Sequence, residues 1–306
     1  MTPPPTPADP PRPAVSVVIP TLNGAATLPA LLAGLRRAAQ RVTLEIVAID
    51  SGSTDATVAL LRGAGATVLD LGGARYGHAT ARNRAIAASR GDVIVLLTQD
   101  VEPAEGDWLG PLLAAFAEPH VAGAFGRQIP RRASAPEAFL AETNYGPVPR
   151  RITGADPDAF GPGATLFSSA FGAMRRGAWR EVPIPDIVMS EDQAWALAAL
   201  RAGWEIVYVP AAAVYHGHRF SLARAFRRNF DSGSSLARLG LGGAAWSSGF
   251  AHLAREVRWI ARTRGVAAVP GALAYEAVRM AGFQCGRLEG RLPRALARFL
   301  GEAPRG

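Results

Sequence analysis

The chain has 306 residues, 49% of them hydrophobic and 19% charged; that is enough for one large domain, or one domain with an appendage, and it excludes a wholly disordered chain. All 33 basic residues are arginine and the net charge is +8, so the complete absence of lysine reads as genomic base composition, and no nucleic-acid partner is inferred from it. The 33 glycines and 24 prolines follow no short period, which excludes a collagen-like chain. The single cysteine, Cys285, excludes an internal disulfide and a cysteine-based zinc cluster and is read as a small core residue.

Residues 1–13 hold many prolines and no apolar stretch, and read as a disordered lead-in without a signal peptide. Residues 15–19, 44–49, 67–71 and 93–97 are short β-branched or aliphatic runs that predict buried strands. Between and after them, residues 28–39, 55–62, 78–89 and 107–116 have helical spacing or composition. This alternation predicts an α/β fold with a mostly parallel sheet covered on both faces. Residues 127–163 are weakly periodic and rich in Pro, Arg and Gly, and read as a long ordered loop region. A helix is expected over 192–202, capped by Ser190, followed by a strand over 204–209 and an extended segment over 214–218.

Charge divides the chain. Residues 1–218 carry 18 arginines against 20 acidic residues, and residues 219–306 carry 15 against 5. The reading is a chemical domain over 14–218 and a basic, helical C-terminal extension over 219–306. In that extension Leu222, Phe226 and Phe230 form one apolar stripe and Phe250, Leu253, Ala254 and Val257 another. Such helices either pack on the domain with a solvated arginine face or lie on an anionic membrane surface. The stretch 239–254 falls short of the roughly 20 apolar residues that a membrane span needs. The chain is therefore expected in the cytoplasm or held peripherally at the inner face of the cell membrane.

Polar residues follow the strand ends, where open α/β sheets bind ligands. Thr21 and Asn23 follow the first strand. Asp50-Ser51-Gly52-Ser53-Thr54-Asp55 follows the second and suits either a nucleotide contact or an ordinary capped turn. Arg82 and Asn83 lie on the helix opened by Gly77-His78, where an arginine fork can pair with a diphosphate or simply face solvent. Gln99 and Asp100 follow a very apolar strand, and a carboxylate there suits a divalent cation bridging a diphosphate. Glu191 and Asp192 open a helix, either as a general base or as acids favouring the helix dipole. His216-Gly217-His218 on an extended segment turns both rings to one side, suggesting metal or phosphate contact.

In this order and spacing the segments Val17-Val18-Ile19-Pro20-Thr21-Leu22-Asn23, Asp50 to Asp55, Gly77-His78, Ala81-Arg82-Asn83, Gln99-Asp100, Ser190-Glu191-Asp192 and Val214-Tyr215-His216 resemble the family 2 glycosyltransferases of GT-A fold, over about residues 14–220. Leu97-Thr98-Gln99-Asp100, Gly126-Arg127-Gln128-Ile129-Pro130 and residues 226–233 are similar to its rhamnosyltransferase branch. The resemblance implies a GT-A-type, Rossmann-like mixed sheet and inverting transfer of a sugar, such as the deoxysugar rhamnose. The donor would be a dTDP- or UDP-linked sugar, and the acceptor a hydroxyl of a cell-surface glycan or lipid-linked molecule. The cofactor would be a divalent metal, Mg²⁺ or Mn²⁺.

By the same resemblance Thr21, Asn23, Asp50, Ser53 and Asp55 match the nucleoside side of the pocket, Arg82 and Asn83 its diphosphate side, and Asp100 the metal-binding aspartate. His216 or His218 matches a second metal or diphosphate contact, and Asp192 the base, with Glu191 competing. Gln99 is placed with the donor-binding residues. Thr98 and Ser51 depart from the pattern, since many members have aspartates there. The rival readings are a nucleotidyltransferase, which would need a basic triphosphate loop that Gly24-Ala25-Ala26 lacks, and a degenerate nucleotide-sugar-binding scaffold.

Overall fold

The structure is a computed structural model and describes residues 13–71, 77–131, 133–154, 166–218, 220–240 and 245–302. The lead-in up to residue 12, Gly72-Gly73 and the Arg219 boundary lie outside the described residues. The first half alternates as β1 (Val15–Thr21), α1 (Leu28–Ala38), β2 (Leu44–Asp50), α2 (Thr57–Gly63), β3 (Thr67–Asp70), α3 (His78–Ala88) and β4 (Val93–Leu97). These four strands pair in parallel in the order β3-β2-β1-β4. Period-two alternation sorts β1 between two layers. Val17 and Ile19 enter one core with Leu28, Leu31 and Leu35 of α1, whereas Val18 enters the opposite core with Ala81, Ala85 and Ile86 of α3. Pro29 sits in the first turn of α1, where its missing N–H costs no helical bond.

The second half is mixed. It comprises β5 (Glu102–Pro103), α4 (Gly110–Ala114), β6 (Val121–Ile129), α5 (Ala135–Asn144), β7 (Arg150–Ile152), β8 (Phe171–Arg175), α6 (Arg176–Glu181), α7 (Glu191–Arg201) and β9 (Glu205–Tyr215). Strand β8 runs antiparallel between β4 and β6, and β6 is parallel to β9. Among the described residues, nine strands make one mixed, mostly parallel sheet.

Three sequence expectations are corrected here. Residues 127–163 are not one loop region: they include the end of β6, the helix α5 and the strand β7, with residues 155–165 outside the description. Helix α5 is fixed by a capping box, in which Ser134 accepts from the Glu137 backbone and Glu137 accepts from the Ser134 backbone. The segments expected separately at 204–209 and 214–218 begin and end one strand, β9, whose register against β6 shifts between Gly126 and Arg127. A Cβ on Gly126 would lie 2.1 Å from the Phe171 ring, so the shift needs glycine. Lastly, Ser190 precedes α7 but makes no side-chain cap; it is left-handed, with φ 64°.

The C-terminal region is helical: α8 (Leu222–Arg238), α9 (Ala245–Arg264), α10 (Val269–Arg287) and α11 (Arg294–Leu300). Helices α8 and α10 meet backbone to backbone, because a Cβ on Gly233 would lie 2.1 Å from the Phe283 carbonyl oxygen, and one on Gly286 1.9 Å from that of Phe230. Of the first expected stripe Phe230 is buried, whereas Leu222 is exposed. In the second, Leu253 and Val257 are half-buried and Ala254 is exposed; the side chain of Phe250 lies outside the description. Cys285 is half-buried, not a core residue, because α10 turns Gly282 and Gly286 rather than Cys285 to α8.

Candidate active site

The carboxyl ends of β1 and β2 are tied into one rigid loop pair. Buried Asp50 accepts from the Thr21 hydroxyl (3.0 Å), the Ser53 hydroxyl (2.6 Å) and the backbone N–H groups of Gly52 and Ser53 (3.0 and 2.8 Å). Burial pushes its carboxyl up, but these donors outweigh burial and hold it below the ordinary aspartate value. Asn23, at φ 46°, accepts from the Thr54 backbone (2.9 Å), and its own N–H donates to Ser53 Oγ (2.8 Å). Asp55 accepts from Ala25 and Thr57. Gln99 pairs twice with the Leu22 backbone, at 2.9 Å each way. The five expected nucleoside-side residues Thr21, Asn23, Asp50, Ser53 and Asp55 thus converge on one wall, with Gln99, expected among the donor-binding residues, beside them. Among the described residues the buried hydroxyls of Ser51 and Thr98 beside them have no hydrogen-bond partner.

Arg82 and Asn83 do not reach open space. Arg82 is 3% exposed and pairs with buried Glu191 at 2.5 Å. The Asn83 amide donates to the Ile184 carbonyl (2.8 Å) and accepts from the Trp179 indole (2.8 Å) and the Ile184 N–H (3.2 Å). Both residues fasten α3 to the approach to α7.

At the end of β4, Asp100 faces both histidines that follow β9. Its carboxylate oxygens lie 3.7 Å from His216 Nε2 and 3.3 Å from His218 Nε2, with the rings 5.0 Å apart. Ligand atoms of the three residues all lie within 4.8 Å of one another. The amide oxygen of Gln128 lies 2.7 Å from His216 Nδ1, while the Gln128 amide nitrogen donates to Ser168 Oγ at 2.8 Å. An amide oxygen only accepts, so Nδ1 carries the proton and Nε2 is left as a lone pair. Burial lowers the His216 pKa to about 4, with the nearby Asp100 charge opposing the shift, so the ring is neutral at pH 7. Among the described residues its buried Nε2 has no hydrogen-bond partner, and it faces a carboxylate, which is itself an acceptor. Two acceptors in that posture fit a cation between them. Two imidazoles and one carboxylate form a donor set that can hold a divalent metal ion.

Asp192 sits at the start of α7, half-buried, where its Oδ2 accepts from the Ser169 N–H (3.1 Å) and hydroxyl (3.3 Å). Burial and the adjacent Glu191 charge push its pKa up to about 6. Ser168, bonded to Gln128, and Ser169, bonded to Asp192, are neighbours, so one short segment supports both the histidine and the aspartate. Tyr145 hydrogen-bonds Ser168 and Gln128, and burial pushes its hydroxyl up to about 12. Sequence reasoning placed Gln128 only within a branch-like motif and missed Ser168, Ser169 and Tyr145, whose segments carry no readable spacing. His78, at the start of α3, has its pKa lowered to about 4 by burial and by nearby Arg82 and Arg228.

The mixed, mostly parallel sheet with its flanking helices and helical C-terminal region has the GT-A glycosyltransferase fold. Residues 16–182 match the sequence profile of Glycosyl transferase family 2, and the chain belongs to that family; it is a glycosyltransferase. It is 28% identical to the O-antigen chain rhamnosyltransferase RfbN of Salmonella typhimurium over 93% of each chain. It is also 28% identical to the O-antigen chain rhamnosyltransferase WbaN of Salmonella anatum, over 83% of each. In fold it is similar to a mannosyltransferase from Pyrobaculum calidifontis solved with GDP-Man and Mn²⁺, with a TM-score of 0.60, 19% identity, and 92% and 88% of the two chains covered.

Proposed function

We propose that the protein is a metal-dependent, inverting glycosyltransferase that moves a deoxysugar, rhamnose being the leading candidate, from a dTDP- or UDP-linked donor to a hydroxyl of a lipid-linked O-antigen-type glycan. The observation that carries this reading is the Asp100–His216–His218 cluster, with the unpartnered Nε2 of His216 turned to a carboxylate. Mn²⁺ or Mg²⁺ held there supplies positive charge to the donor diphosphate when bound. The two rhamnosyltransferase relatives, matched over most of their length, support the donor sugar and the glycan class.

The chain's own residues divide the remaining work. The wall of Thr21, Asn23, Asp50, Ser53, Asp55 and Gln99 shapes the nucleoside pocket, with the buried hydroxyls of Ser51 and Thr98 behind it. A neutral threonine where many relatives have an aspartate suits a deoxyribose, which has one hydroxyl fewer to satisfy. Asp192 takes the acceptor proton as the acceptor oxygen attacks the anomeric carbon; one base on the acceptor face is sufficient for inversion. Glu191 is spent on Arg82, so its role is to hold the start of α7.

Membrane contact is part of this reading. No described helix is long and apolar enough to cross a membrane. Among described residues the exposed large apolar side chains concentrate after residue 220, including Val266, Leu273, Met280, Leu288 and Phe299. With the arginine excess of that region they suit an anionic surface carrying a lipid-linked acceptor. A thermal-shift panel of nucleoside diphosphates and sugar nucleotides with Mn²⁺ tests the reading. A ligand at 100 times its Kd adds about 2.7 kcal/mol of apparent stability. A metal-dependent shift with dTDP or UDP compounds is expected, and a flat panel would contradict it.

A further inference from the structure

We propose that Arg228, on α8 and beyond the segment matched by the family profile, is a diphosphate-binding residue that takes up the charge of the departing nucleoside diphosphate. The inference rests on the glycosyltransferase reading above and deepens it.

Two contact chains place Arg228 between the ends of the site. On one side its guanidinium carbon lies 4.9 Å from the centre of the Phe220 ring. The same ring packs 5.5 Å from His218, whose Nε2 lies 3.3 Å from Asp100. On the other side Arg228 Nη2 lies 4.0 Å from the sulfur of Met189, two residues before Glu191 and three before Asp192. The guanidinium is therefore linked through the Phe220 ring to the candidate metal cluster and through Met189 to the segment that leads into the base-bearing helix.

Arg228 is also short of an anion. Among the described residues its carboxylate partner is Glu302 at 3.9 Å, beyond hydrogen-bond distance, whereas the same Glu302 accepts from Arg224 at 2.8 Å. A half-exposed guanidinium stacked on an aromatic ring, with no oxygen acceptor within hydrogen-bond distance among the described residues, is suited to meet an anionic ligand. Its position is specified from behind. Met189 N–H donates to Ser235 Oγ at 3.0 Å, Ser190 Oγ lies 3.3 Å from Ser232 Oγ, and α8 is seated on α10 through Gly233, Gly282 and Gly286. The anion nearest to the metal cluster in the proposed reaction is the donor diphosphate. As the bond from the anomeric carbon to the β-phosphate oxygen breaks and the bond to the acceptor oxygen forms, the electron pair stays on that phosphate oxygen, where Arg228 meets it, and the acceptor proton passes to Asp192.

The test is calorimetric. The nucleoside diphosphate that gives the largest thermal shift on wild-type protein is titrated, with Mn²⁺, against its monophosphate. Arg228→Gln is expected to weaken the diphosphate by about ten- to hundredfold, as for loss of a charge-assisted hydrogen bond, and to leave the monophosphate nearly unchanged. Arg228→Lys keeps the charge without the planar fork and is expected to fall between the two, which serves if the glutamine variant does not fold. Arg238→Gln, which removes a cation from the same helix at its far end, should bind as wild type. Equal diphosphate affinity in wild type and both Arg228 variants, or equal losses for diphosphate and monophosphate, would overturn the assignment while leaving the glycosyltransferase reading intact. Wild-type protein that binds no nucleoside diphosphate would overturn both.

Discussion

Asp100, Glu191 and Asp192 are three carboxylates with three environments, and their substitutions should separate accordingly. Asp100→Ala removes one proposed metal ligand at a partly exposed strand end and is expected to abolish Mn²⁺-dependent nucleotide binding with little change in thermal stability; calorimetry with and without Mn²⁺ reads this out. Glu191→Gln breaks a buried ion pair and leaves Arg82 uncompensated, a loss of about 3–5 kcal/mol that denaturant unfolding should register. Asp192→Asn should do the reverse. Its pKa is raised in the fold, so the protonated form is favoured there; the stability it contributes is present below the unfolded aspartate pKa and is lost as pH rises through about 6. A neutral amide at pH 7 should therefore keep or raise the unfolding temperature. In the wild-type enzyme the base must be ionised, so the transfer rate should fall as pH drops through about 6, and a flat profile between pH 5 and 7 would count against Asp192 as base.

At the scale of elements, α8 links stability to the site. Gly286→Ala drives a Cβ to 1.9 Å from the Phe230 carbonyl oxygen, where only a backbone shift gives relief. A cost of about 1–3 kcal/mol is expected, with a lower unfolding temperature and weaker diphosphate binding as α8 moves. Gly271→Ala, also on α10 but facing open space, should be neutral or stabilising. These contacts explain what could be read from the sequence. Strands β1 and β4 and the second half of β2 were legible because they are buried and aliphatic, and the polar residues at their ends followed; β3, with Thr67 and Asp70 exposed, was legible only from its short Val-Leu step between two helices. The histidine pair was legible from its spacing. Strands β6 and β8 were not, because β6 reads Val-Ala-Gly-Ala-Phe-Gly, its small residues giving way to Trp195, Phe171 and Ile206 from other elements. Arg82 and Asn83 have the composition of a phosphate contact, and only three-dimensional packing shows them tied to Glu191, Trp179 and Ile184. Nothing in the local sequence tells Arg228 from Arg227, which lies over Phe299 instead.

For the molecule as a whole, charge is the organising variable. The arginine excess after residue 218 and the exposed apolar side chains there predict co-sedimentation with anionic vesicles at low salt and release as salt rises, because attraction to a charged surface is screened over about 8–10 Å at physiological ionic strength. Neutral vesicles should retain far less protein. Equal binding to both, or to neither, would return the C-terminal arginines to the role of a solvated face. Surface attachment would hold the donor site, which diffuses with the protein, beside an acceptor confined to two dimensions.

The central claim is that Asp192 takes the acceptor proton in a transfer that depends on the cation at Asp100, His216 and His218. It is tested most directly by the rate at which labelled sugar moves from dTDP-rhamnose into a lipid-linked acceptor, with wild type and Asp192→Asn compared in Mn²⁺ and in chelator. The account predicts transfer by wild type in Mn²⁺, none in chelator, and a fall of about 10²–10⁴-fold in Asp192→Asn at unchanged donor affinity. Near-normal transfer by Asp192→Asn, or wild-type transfer that is indifferent to the chelator, would contradict it.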